Sequence, residues 1–138
     1  MSTTNQKYLL LFRGKEWWKG LSPDQLAQAQ TQIQAWFDRL TAAGQLTAAQ
    51  PLAREGALIG GREGRVLADG PFAEAKEAIG GYLLLEVASR EEAIAIARSC
   101  PALAFDTQVE VRPLAEECPM AAQARRVSAG AVAAAVAA

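Results

Sequence analysis

Two runs of strand length, Tyr8-Leu9-Leu10-Leu11-Phe12 and Tyr82-Leu83-Leu84-Leu85, carry apolar side chains at every position. Successive residues of a strand point to opposite faces, so a run apolar at both parities asks for cover on both sides. A fold that holds such strands must bury two faces of one sheet. Neither run approaches the length of a membrane-spanning helix. The first ends at Arg13, which brings a charge to the end of its strand.

The segments between and around these runs read as two helices, a hairpin and one further strand. Ser22-Pro23-Asp24-Gln25 predicts a helix start: a side-chain acceptor, a residue preset for the first turn, an acid at the positive dipole end and the partner of a capping box. Leu26, Ala29, Ile33, Phe37 and Leu40 then recur at helical spacing until Gly44, with Trp36 at the edge of the stripe, placed to reach a partner. Gln45 to Pro51 reads as a short extended segment. Ala57 to Gly61 and Arg65 to Ala68, around Arg62-Glu63-Gly64, read as a hairpin. Ser89-Arg90-Glu91-Glu92 repeats the capping signal, and Ala93, Ile94, Ala97 and Cys100 form a second stripe that stops at Pro101. Val109, Val111 and Pro113 alternate with Gln108, Glu110 and Arg112, the mark of an edge strand with one polar face. The order strand, helix, short strand with hairpin, strand, helix, strand is that of an α+β, ferredoxin-like β-α-β-β-α-β unit with an inserted β-hairpin. Its helices hide one face of the sheet, so the second apolar face predicts a homodimer through sheet faces.

The chain contains no histidine. That removes Ser-His-Asp and Cys-His triads, His-based zinc sites and a His general base, and leaves carboxylates, Lys, Tyr or Arg for any proton chemistry. With 138 residues and a formal net charge of −1, the chain is one domain's worth of sequence with no basic stripe for nucleic acid. No metal and no cofactor are expected. Two cysteines, Cys100 and Cys118, make no disulfide framework. The N-terminus lacks the basic start and apolar core of a secretion signal, so the expectation is a cytoplasmic protein with no membrane partner. Residues 1–6 read as a polar leader, 7–115 as the folded domain and 116–138 as an Ala-rich tail, helical by propensity.

Asp69-Gly70-Pro71-Phe72 specifies a sharp bend, with Ala73-Glu74-Ala75-Lys76-Glu77 behind it and Gly80-Gly81-Tyr82 closing it. Gly80 and Gly81 predict a close backbone approach just before the second apolar run. These motifs, with Lys7-Tyr8-Leu9-Leu10-Leu11 before them and Val109-Glu110-Val111-Arg112-Pro113 after them, resemble the YCII-related family, specifically its DGPF-domain branch, over about residues 6 to 115. The resemblance implies a dimeric α/β barrel with a cleft near the sheet interface. It also implies lyase-like or isomerase-like chemistry for relatives that use a His and Asp pair. Only the Asp is carried over here, onto Asp69, with Lys76 and Glu77 following. DGPF-type proteins are often encoded near sigma-factor genes in bacteria, a context the resemblance supplies.

Two functions stay open on these residues. One is a small-molecule ligand-binding or regulatory module with a cleft near the Asp69 to Phe72 turn. The other is a cofactor-free lyase or isomerase with Asp69 as general base on a small acidic substrate. The candidate ligand-binding residues are Arg13, Pro71, Phe72, Lys76, Glu77, Tyr82, Glu110 and Arg112. Guanidinium groups offer a rigid fork to a carboxylate, and Tyr82 a hydrogen bond. Trp17 and Trp18 either lid the core or stack on an aromatic ligand.

Overall fold

The computed structural model describes residues 5–14, 16–69 and 79–137. Four strands, β1 (Gln6–Arg13), β2 (Leu46–Pro51), β5 (Ile79–Val87) and β6 (Gln108–Pro113), form one antiparallel sheet in the order β2-β5-β1-β6. A separate hairpin, β3 (Ala57–Gly60) and β4 (Arg65–Asp69), is inserted between β2 and β5, with Gly61 and Gly64 at positive φ in its turn. Helices α1 (Pro23–Ala42), α2 (Arg90–Arg98) and α3 (Pro119–Ala137) complete the chain, with single-turn helices at Trp17–Gly20 and Pro101–Phe105. Without the hairpin, the strand order is that of the ferredoxin-like unit, and the two all-apolar runs are its two central strands.

Alternation along the central strands separates the two faces. Tyr8 and Leu10 of β1 and Leu83, Leu85 and Val87 of β5 are buried, in one core with Trp36 and Leu40 of α1 and Ala93, Ile96 and Ala97 of α2. Cross-strand partners share a face, so the opposite face carries Leu9 with Leu84 and Arg112, and Leu11 with Tyr82 and Glu110. Those residues are half-buried, save the exposed Arg112, and neither α1 nor α2 contributes to that side's packing. The physical cause is plain: a two-layer unit has helices for one face only.

The start of α1 follows the sequence position by position. Ser22 Oγ accepts from the Gln25 N–H at 3.2 Å, and Gln25 Oε1 accepts from the Ser22 N–H at 3.0 Å. At α2 the signal is only half realised. Ser89 Oγ accepts from the Glu92 N–H, but the Glu92 carboxylate accepts from the Ala88 N–H at 2.8 Å and from Gln45 Nε2 at 2.6 Å. The amide of Ala88, just past the end of the preceding strand, competes for the carboxylate.

The α1 stripe requires a correction. Trp36, expected at the edge and directed to a partner, is 2% exposed at the centre of the core, while Leu26 is 43% exposed. The face that packs runs through Ala29, Ile33, Trp36, Phe37 and Leu40. On α2, Ile96 joins the buried set and Ile94 is half-buried.

Candidate functional site

The central strand β1 leaves the sheet irregularly. Phe12 pairs with Gly81 and Arg13 with Ile79, so Gly80 is an extra residue on β5 and the ladder is bulged there. On the other side of β5 the backbone of β2 comes close. A Cβ on Gly81 would lie 3.0 Å from the Gln50 carbonyl oxygen and 3.2 Å from Pro51 Cα, the close approach that the paired glycines predict.

A cavity of about 220 Å³ opens at this end of the sheet. Its walls are aromatic: Phe12 from β1, Trp17 and Trp18 from the following turn, and Trp36 and Phe37 from α1. Phe12 meets Trp36 edge-on, with ring centroids 6.4 Å apart, and Trp17 stacks on Phe105 at 4.8 Å and 7°. Trp36 Nε1 donates to Ser99 Oγ at 2.7 Å, so the one polar atom of that buried ring is satisfied. Cys100 also lines the cavity, and burial pushes its thiol pKa up, away from a neutral-pH nucleophile.

Two arginines, Arg13 and Arg54, contribute to the lining of the cavity, and no carboxylate does so among the described residues. Arg54 follows β2 and folds back on the end of β1. Its Nη2 donates to the Gly14 carbonyl at 3.2 Å, and its Nε lies 3.4 Å from Glu16 Oε1. Its side chain is 14% exposed, so this charge is held in a fixed place near the mouth. Arg13 Nε donates to Glu110 Oε1 at 2.8 Å, and Glu110 Oε2 lies 3.6 Å from Arg112 Nη1.

Of the residues singled out in the sequence, the structure brings Arg13, Glu110 and Arg112 into one ion-pair chain on the face opposite the helices. Tyr82 lies on that same face, across from Leu11. On the edge strand β6, Arg112 is exposed and Glu110 half-buried, and their face borders Leu9 and Leu11. Asp69 is the last residue of β4, with its side chain outside the described residues. Pro71, Phe72, Lys76 and Glu77 lie outside the described residues as well. Sequence reasoning missed Arg54 and the inward role of Trp36. Nothing local to Leu52-Ala53-Arg54-Glu55 marks Arg54, since its partners Gly14 and Glu16 lie some forty residues earlier. Trp36 was within reach, because it stands three and four residues from Ile33 and Leu40.

Among the described residues there is no group of three or more metal-ligating side chains, and no helix long and apolar enough to cross a membrane.

An antiparallel α+β sheet with α1 and α2 on one face and an aromatic cavity at its end defines the class of protein. The chain belongs to the YCII-related domain family, whose model matches residues 7–117. Among solved structures it is similar to 5-chloro-2-hydroxyhydroquinone dehydrochlorinase from Burkholderia phenoliruptrix, in complex with 2,5-dihydroxybenzoquinone. The identity is 15%, over 80% of this chain and 95% of that one, with a TM-score of 0.47. It is also similar to a hydroxynitrile lyase from Passiflora edulis, at 16% identity over 86% of this chain and all of that one, with a TM-score of 0.36. Likenesses at that level assign no activity to this chain. A search of curated proteins finds no match.

Proposed function

We propose that this protein binds a small organic acid with an apolar body in the cavity at the end of its sheet. One observation carries the reading: five aromatic residues line the cavity and the Arg54 guanidinium is held at its mouth, with no carboxylate among the described lining residues. An apolar body gains by burial there, and a carboxylate gains from the Arg54 guanidinium at the mouth. The test is a titration of small carboxylic acids against their neutral amides, read by tryptophan fluorescence, since Trp17 and Trp36 are wall residues. The acid of each pair is expected to bind at least about tenfold tighter, the scale of one charge-assisted hydrogen bond. Acid and amide binding alike would overturn the reading.

A second reading is a cofactor-free lyase or isomerase with Asp69 as general base. What favours it is the route of the chain. The insert departs after Pro51 and returns at Gly80, and both residues line the cavity. The segment that follows Asp69 therefore rejoins the sheet at the cavity mouth. Asp69→Asn separates the two readings: turnover of a bound acid that vanishes with unchanged affinity supports catalysis.

The order Asp69 to Phe72 further supports a place in the DGPF branch of the family. The half-buried Leu9, Leu11, Tyr82 and Leu84, on the face that α1 and α2 leave uncovered, support a homodimer closed through the sheets, the dimeric α/β barrel arrangement. Sedimentation at micromolar protein is expected to give a dimer, and Leu84→Lys a folded monomer, because a buried ammonium at the centre of a two-fold interface is met by its own copy. A wild-type monomer would remove the dimer.

A further inference from the structure

The acid-binding reading leaves the adjoining hollows without a use. A second cavity, of about 500 Å³, adjoins the first and shares Phe12, Phe37, Pro51 and Gly81 with it. Leu46, Ala49 and Leu83 extend it along the sheet. Its cause is legible in β2. Ala49 pairs with Leu83 on the core side, and a methyl group there leaves space between the sheet and Phe37 that a larger side chain would fill.

The two hollows have a direction. Arg13 and Arg54 line the first alone and Leu46 the second alone. From Pro51 to Leu46 the strand covers roughly 16 Å, about the length of an extended chain of a dozen carbons. A compact acid would occupy the first hollow and leave apolar walls in the second against water. A linear one buries its tail along them.

On the acid-binding reading, we infer that the ligand is a straight-chain aliphatic monocarboxylate. Its head group sits by Arg54, and its alkyl chain runs past Phe12 and Phe37 toward Leu46. A third hollow, of about 330 Å³, meets the first at Trp17, Trp18, Ile33 and Phe37 on the other flank of α1, but Gln30 and Gln34 line it. The second hollow has one amide side chain in its lining, Gln50, against the two here, so an alkyl chain displaces water from fewer amide groups on the β2 side, and the tail takes it.

The experiment is a series of free straight-chain acids from butanoate to dodecanoate, each below its micelle concentration, titrated by tryptophan fluorescence and calorimetry. Each methylene that enters the second hollow is expected to raise affinity by up to about fourfold, until the hollow is full and the rise stops. Ala49→Leu fills that hollow and is expected to flatten the rise, so that the affinity ratio of decanoate to butanoate falls at least about tenfold. Short acids binding with no dependence on length would overturn this inference and leave acid binding standing. No binding at any length would overturn both. A rise that persists in a folded Ala49→Leu protein would overturn the placement along β2. If that variant does not fold, the wild-type series still decides.

Discussion

Trp36→Ala is expected to cost about 3–5 kcal/mol of folding stability, the range for deleting a large aromatic side chain from a packed core. Trp36 is 2% exposed and packs edge-on against Phe12 and tilted against Phe37, at centroid distances of 6.4 and 5.6 Å. It joins α1 to the end of the sheet and, through Ser99, to the end of α2. Alanine removes all of those contacts together. Domains of this size have about 5–15 kcal/mol in total, so the loss is a large fraction of the whole. Urea denaturation checks it, as a lower midpoint at unchanged slope and a fall in Tm of roughly 10 °C or more. Trp36→Phe isolates the ring from its N–H. It keeps much of the packing and removes the donor to Ser99 Oγ, a change worth about 1 kcal/mol because that hydroxyl keeps its own bond to the Ile96 carbonyl. A loss below about 1 kcal/mol for the alanine variant would mean that the ring is no part of the core.

Gly81→Val is expected to be the most damaging change in β5. Valine favours strands over glycine by about 1 kcal/mol, which on its own would stabilise. The atoms in the way decide otherwise. A Cβ at Gly81 meets the Gln50 carbonyl oxygen at 3.0 Å and Pro51 Cα at 3.2 Å, and both are backbone, with no flexible side chain to swing aside. Overpacking of this kind costs about 1–3 kcal/mol for a methylene or two, and the two further methyls of valine put the result at the upper end or beyond. Relief requires β2 to move away from β5 where the cavity opens. The variant should therefore lose acid binding along with stability, whereas Gly81→Ala should show a smaller loss of both. Melting curves and the fluorescence titration on the same samples check the order wild type, alanine, valine. A valine variant as stable as wild type would show that the strands are not held as close as described.

The fold was legible to a large extent because its signals are local and periodic. The capping residues Ser22 and Gln25 act within one helical turn, and the hairpin's glycines act within two residues of their partners. The alternation in β6 needs only neighbours. Signals that depended on distant competition were read less well. Glu92 was expected to close a capping box, and the Ala88 amide and Gln45 took its carboxylate instead. The α1 spacing puts Leu26 on the stripe and Trp36 at its edge, because periodicity gives the angle of a face but not which of its positions are covered.

The candidate site divides along the same line. Arg13, Glu110 and Arg112 were chosen for their residue types, and the register of β6 against β1 joins Arg13 to Glu110 across 97 residues of chain. Arg54 and Ala49 carry no mark in the sequence. One matters for where its guanidinium is held and the other for the space that it leaves empty.

By itself, the order of residues determined the strands, the helix starts, the hairpin and the surplus of apolar surface, since each depends on intrinsic preference and short-range spacing. Only the tertiary structure decided which flank of α1 is core, where the cations lie and where the cavity opens. These are products of packing between segments far apart in the chain, and no local pattern carries that information.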